Sequence, residues 1–209
     1  MERFGFVGLP NAGKSSLFNA LAGGGALAAP YAFATTDPNV GVVKVPDQRL
    51  DALAEMSESR KVVNSTTEFV DIGGLVEGAS QGEGLGNKFL AGIREVDALV
   101  LVLRTFDDED VPGPTDPIEH LRVVEIELTL ADLESVEGRI DRRRKALRAD
   151  PRDAVLVAEV DALEEALTLL SEGTPLYQSD LSEERRSALR EHFLLTNKPV
   201  MAVLNIGED

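Results

Sequence analysis

The sequence predicts an α/β fold, a doubly wound, mostly parallel sheet with an inserted α-helical hairpin, and three features predict it. Short apolar runs alternate with helical patterns along the 209 residues. One run, 98–103, is apolar at every position, as a central parallel strand covered by helices on both faces must be. A long charged stretch, roughly 114–195, shows apolar residues at helical spacing and little strand pattern.

Taken in order, residues 4–8 form a short strand that enters a glycine-rich turn, and 14–22 follows as a helix with Leu17, Phe18 and Leu21 on one side. Residues 40–45 and 66–72 are rich in β-branched side chains and read as strands, the second carrying Asp71 at its end. Residues 199–205 repeat the apolar character of 98–103. Between those two strands, Asp116-Pro117 starts a helix, a capping acid before a proline whose missing donor costs nothing there. Ile126, Leu130, Leu133 and Ile140 give that helix its apolar side. After the Asp150-Pro151 break, Leu156, Val160, Leu163, Leu167 and Leu170 define a second helix, and the two are expected to zip into an antiparallel, coiled-coil-like hairpin. A shorter helix is expected over 182–195. The domain reading is therefore 1–113 with 196–209 as one unit and 114–195 as a helical insertion.

A net charge of −16 excludes broad nonspecific binding to a phosphate backbone, because a mostly acidic surface repels polyanions at long range. A local RNA contact is left to the basic cluster Arg139, Arg142, Arg143, Arg144, Lys145 and Arg148, beside the plainer reading of a solvated helix face. There is no cysteine, which fits a reducing compartment and makes a cytoplasmic protein the expectation. The N-terminus shows no signal-peptide pattern, and the longest apolar run is far too short to cross a bilayer, so no membrane contact is expected. A monomer is expected. His120 and His192 fall in the helical insertion and are read as surface residues.

The chemistry is concentrated at the first turn. Gly8-Leu9-Pro10-Asn11-Ala12-Gly13-Lys14-Ser15 fits G-x-x-x-x-G-K-[ST] between a strand and a helix, the context that identifies a phosphate-binding P-loop. Glycines let backbone N–H groups curl around phosphates, the helix N-terminus adds partial positive charge, and Lys14 reaches the outer phosphates while Ser15 ligates Mg²⁺. Downstream, Asp71-Ile72-Gly73-Gly74 matches the D-x-x-G of nucleotide switches, with Asp71 holding Mg²⁺ through water and the Gly74 N–H meeting the terminal phosphate. A switch threonine is expected in Phe33-Ala34-Thr35-Thr36-Asp37-Pro38-Asn39, Thr35 being favoured over Thr36 as a Mg²⁺ ligand. Leu75 stands where many GTPases place a glutamine that orients the attacking water, so slow turnover is expected. The glycine-rich residues 78–87 read as a mobile switch loop.

After the last strand, Asn205-Ile206-Gly207-Glu208 stands where GTPases carry Asn-Lys-x-Asp. Glu208, one methylene longer than aspartate, cannot make the same paired contact with guanine without moving, which weakens guanine preference. The candidate nucleotide-binding set is then Asn11, Ala12, Gly13, Lys14, Ser15, Ser16, Asn205, Ile206 and Glu208, with Lys14, Gly74 and Thr35 as the catalytic group.

On residues 8–16, on Asp71-Ile72-Gly73-Gly74-Leu75-Val76-Glu77-Gly78-Ala79-Ser80 with Gly82-Glu83-Gly84-Leu85-Gly86-Asn87, and on Asn205-x-x-Glu208, the chain resembles the YchF (Obg-like ATPase) family of Obg-related GTPases. The likeness covers essentially the whole chain. It implies hydrolysis of ATP in preference to GTP, a hydrophobic residue in place of the catalytic glutamine, and association with ribosomes. By likeness to potassium-dependent members, it places Asn11 where a K⁺ ion would be supported. Two departures stand out. The family often carries a histidine after the strand ending near Arg104, whereas residues 107–114 contain none. The family also continues past the position of Asp209 with a small β-rich TGS domain, so the chain is expected to be a fragment. Two other readings stay open: a GTP-specific Obg-class GTPase, and a nucleotide-binding scaffold with negligible hydrolysis.

Overall fold

The computed structural model describes residues 1–23, 39–73, 85–108 and 113–207. Its elements are β1 (Arg3–Val7), α1 (Lys14–Ala22), β2 (Asn39–Lys44), α2 (Gln48–Met56), β3 (Thr66–Asp71), α3 (Leu85–Arg94), β4 (Ala98–Arg104), α4 (Pro117–Ala149), α5 (Ala154–Ser171), α6 (Glu183–Ala188) and β5 (Val200–Asn205). The strands lie in the order β2-β3-β1-β4-β5. β1 is parallel to both β3 and β4, β4 is parallel to β5, and only β2 runs antiparallel, against β3. The predicted mostly parallel α/β sheet is the observed one.

The alternation of β4 shows how the layers form. Leu99, Leu101 and Leu103 point into one core with Ile93 of α3 and Val124 and Leu128 of α4. Val100 and Val102 point into another with Phe6 and Phe18, the latter from α1. A period of two thus buries both faces of the strand, which is why its sequence is apolar throughout. β5 differs from the expectation: Met201 and Leu204 are each 57 % exposed. It is an edge strand of the described sheet, and although Val200 and Val203 pack against the two cores, Met201 and Leu204 stay open.

α4 begins as its sequence demands, with Asp116 accepting from the Ile118 N–H and Pro117 in the first turn, and it ends at Asp150. Its buried side is the expected one only in part: Ile140 is buried and Leu133 packs against the same core. Val124, Leu128, Ala131, Val136 and Ile140 are buried while Ile126 and Leu130 are exposed. The stripe was hidden because polar residues share it: His120, Glu127, Thr129 and Asp132 are buried on the same helix. Its first half packs on β4, and its second half forms a separate core with Leu163, Ala166 and Leu170 of α5. The hairpin is further tied by Arg143 to Glu159 at 2.7 Å and Arg144 to Glu164 at 3.0 Å.

Both histidines are buried, contrary to the surface reading. His120 Nε2 meets the Pro114 carbonyl at 2.6 Å, and His192 Nε2 sits 2.9 Å from Glu159 Oε1. Their acidic and basic sequence neighbours suggest solvent, but His120 is buried on α4 and His192 in a 3₁₀ turn after α6. The helix expected over 182–195 is shorter, α6 capped by Ser182 and followed by a single 3₁₀ turn at Arg190–His192. α2 and α3 were not anticipated, and residues 85–87 of the supposed loop belong to α3. No helix among the described residues is long and apolar enough to cross a membrane.

Candidate functional site

The site lies at the carboxyl ends of β1, β3, β4 and β5, where an open α/β sheet places its ligand. The loop after β1 hugs the sheet: a Cβ on Gly8 would come within 2.4 Å of the Val102 carbonyl. Asn11 and Gly13 then take positive φ, 62° and 96°, bending the chain back over the start of α1. No side chain caps α1 and no acid occupies its first turn, so its N–H groups face the loop as donors for an anion.

Lys14 is buried beneath that loop, its Nζ donating to the Leu9 carbonyl at 2.8 Å. Ser15 Oγ donates to Asp71 Oδ2 at 2.6 Å, and Asp71 is fully buried. Burial pushes the Lys14 ammonium down to about 8 even though Asp71 pulls the other way. Burial likewise raises Asp71, against the Ser15 hydroxyl and the Lys14 charge. Desolvation therefore outweighs the attraction between them, and each charged form gains from a further counter-charge: an anion for Lys14, a cation for Asp71.

Mg²⁺ is the cation this fold implies, and the residues fit it. Asp71 Oδ1 is buried with no hydrogen-bond partner among the described residues, next to the oxygen shared with Ser15. Among those residues no three histidine, cysteine or acidic groups converge. An ion that keeps most of its waters and takes oxygens from one carboxylate, one hydroxyl and phosphates needs no such cluster.

The opposite wall is built by the ends of β4 and β5. Asn205 Nδ2 donates to the Ala12 carbonyl at 3.0 Å, and the Thr105 N–H and hydroxyl both donate to the Asn205 carbonyl at 2.9 Å. Arg104, 1 % exposed, donates through Nε to the Phe106 carbonyl and lays its guanidinium 4.6 Å from that ring's centre. A Cβ on Gly207 would lie 3.8 Å from that of Phe106.

A family model described as 50S ribosome-binding GTPase matches residues 3–132. The chain belongs to this GTPase family. Within it the chain is of the YchF kind. It is 46% identical over 208 residues to the ribosome-binding ATPase YchF of Bacillus subtilis (strain 168), covering 98% of this chain and 56% of that protein. The Escherichia coli O157:H7 protein of the same name is also 46% identical, with 98% and 57% covered. The solved structure of the Schizosaccharomyces pombe YchF GTPase superposes with a TM-score of 0.76 at 36% identity, over 99% of this chain and 57% of that one. The chain thus spans little more than half the length of the relatives it matches.

In this YchF-family chain the structure brings Asn11, Ala12, Gly13, Lys14, Ser15, Asp71 and Asn205 to one place. Ser16 and Ile206 are both exposed at its margin. Thr35, Thr36, Gly74, Leu75 and Glu208 lie outside the described residues. Sequence reasoning passed over Arg104, Thr105 and Phe106. The one signal for them was position, at and just beyond the end of a strand that neighbours the phosphate-loop strand.

Proposed function

We propose that the chain binds Mg²⁺ and ATP through the P-loop, hydrolyses the nucleotide slowly, and works as a switch at the ribosome. The observation that carries this reading is the buried Lys14–Ser15–Asp71 group under an uncapped helix N-terminus. Lys14 and the N–H groups of residues 11–16 take the phosphates, and Ser15 with Asp71, the latter through water, holds Mg²⁺. When bound, Mg²⁺ neutralises charge that develops on the phosphate oxygens. Thr35 and Gly74 close on the terminal phosphate, Asn11 supports K⁺, and Leu75 in place of glutamine leaves the attacking water poorly oriented, hence slow turnover.

ATP preference rests on Glu208 and on the ATPase names of the bacterial relatives. The GTPase wording of the family model and of the fission-yeast structure supports a second reading, GTP specificity. Ribosome association rests on the names of those relatives, and it would place the protein in the cytoplasm. Within the hairpin, proposed as an insertion over 114–195, the RNA contact narrows to Arg142, Lys145 and Arg148, which stay exposed. Arg139, Arg143 and Arg144 are engaged by His192, Glu159 and Glu164.

Calorimetry with ATP and GTP analogues, each with Mg²⁺, tests the reading. Tighter ATP binding that disappears in Lys14→Ala supports it. Tighter GTP binding moves the chain to the GTP-specific reading, and binding of neither sinks both.

A further inference from the structure

At the end of the sheet remote from the P-loop, a groove of about 460 Å³ separates the segments that lead into β4 and β5 from the end of the helical insertion. That volume is in the range of a small-molecule site. Arg94, Glu95, Asp97, Arg190, Phe193 and Lys198 are among the residues that line it.

Phe193 is the anomaly. It holds φ 53° and ψ 39°, a left-handed conformation that bulky residues avoid, and it does so while 58 % exposed as a residue. The backbone leading into it is pinned. Arg139 Nη1 donates to the His192 carbonyl at 2.7 Å, the Phe193 N–H donates to the Arg190 carbonyl at 3.1 Å, and the His192 ring is buried against Glu159. A buried polar network thus maintains a strained backbone whose product is an aromatic ring presented to solvent, the kind of cost found where a side chain has a ligand to meet.

The surrounding charges indicate which ligand. Among the described residues Arg190 pairs with Glu183 at 3.3 Å, both exposed, and such pairs contribute little. Arg94 uses Nη2 on Ser135 Oγ and keeps further donors. Of the two carboxylates in the groove, Asp97 accepts from the Arg3 backbone N–H, and Glu95 is exposed with the Arg3 guanidinium 3.9 Å away. Lys198 is spent on the carbonyls of Arg94 and Val96. An exposed aromatic side chain in a groove that two arginines also line, on an otherwise acidic chain, suits an unpaired base whose neighbouring phosphates meet the arginines. We infer that this groove takes an unpaired stretch of RNA, one base stacking on Phe193 with Arg94 and Arg190 on the flanking phosphates. The inference rests on the ribosome reading only for the source of that RNA.

The test uses the whole chain, a short labelled single-stranded RNA and purified 50S subunits. Phe193→Gly removes the ring and suits the left-handed backbone, so its thermal midpoint is expected to stay at or above that of the parent. Its RNA affinity is expected to fall about ten-fold or more, the loss of one stacked base, with Phe193→Trp restoring it. Two phosphate contacts predict a shallow salt dependence, a log–log slope of about −1.4 for single strands. RNA binding unchanged in Phe193→Gly, or absent from the parent chain, overturns the inference. So does a variant that loses 50S co-sedimentation yet binds RNA normally, since the groove would then hold a protein. A parent that binds RNA through Phe193 but does not sediment with 50S subunits sinks the ribosome reading and leaves the groove standing.

Discussion

Asn205 Nδ2 and the Ala12 carbonyl meet at 3.0 Å across 193 residues of sequence, fastening the last described strand to the P-loop. The fit is tight: a Cβ on Gly13 would fall 2.2 Å from the same nitrogen. Asn205→Ala is therefore expected to loosen the loop and weaken ATP binding about ten-fold, roughly the 1–1.5 kcal/mol of one hydrogen bond. Calorimetry reads this directly, and unchanged affinity would show that the loop keeps its shape without the tether.

Lys14 makes the nucleotide-free chain sensitive to alkaline pH. Its ammonium titrates at about 8 in the fold against 10.5 ordinarily. Between those values the unfolded chain holds a proton that the folded chain has released, so stability rises as pH goes from 8 towards 10.5, by up to about 3 kcal/mol. Urea melts across that window check the sign. Lys14→Met is expected to flatten the dependence while abolishing ATP binding; a parent that loses stability over the same window contradicts the assignment.

Asp132 joins α4 to the segment before β5. Its carboxylate accepts from the Leu195 N–H, the Thr196 N–H and the Thr196 hydroxyl at 2.7–2.8 Å, all buried. Asparagine offers a single acceptor oxygen and turns two donors toward that cluster, so Asp132→Asn is expected to cost about 2 kcal/mol. Chemical denaturation measures it, and a neutral result would mean that water replaces the lost acceptor.

His192 sets an acid limit. Burial holds its imidazole below the ordinary 6.5, outweighing Glu159, while Arg139 and Arg143 push in the same direction as burial. The unfolded chain takes up the proton first, so this contribution is present above pH 6.5 and lost as pH falls below it. Thermal melts from pH 7.5 to 5.5 are expected to show a drop that His192→Gln reduces.

Much of the site was legible because its chemistry is local. Gly8, Gly13, Lys14 and Ser15 lie within a single turn, where positive φ, backbone donors and one cation must be consecutive in sequence. The strand of residues 98–103 was legible for a similar reason, since burial on both faces leaves no polar position. The buried side of α4 was legible only at Leu133 and Ile140; towards its start His120, Glu127 and Asp132 interrupt the apolar period and are inward only where other segments supply partners. Arg104, Thr105 and Phe106 carry no motif of their own.

By itself, then, the sequence determined the α/β class, the phosphate loop and the helical hairpin, all written in short-range spacing and periodicity. Tertiary structure alone decided that Asp71 would meet Ser15, that Asn205 would brace Ala12, and that Phe193 would be held outward beside Arg190. The first two of those pairings join residues 56 and 193 positions apart, and nothing short of the packed sheet brings such distant groups within hydrogen-bond reach.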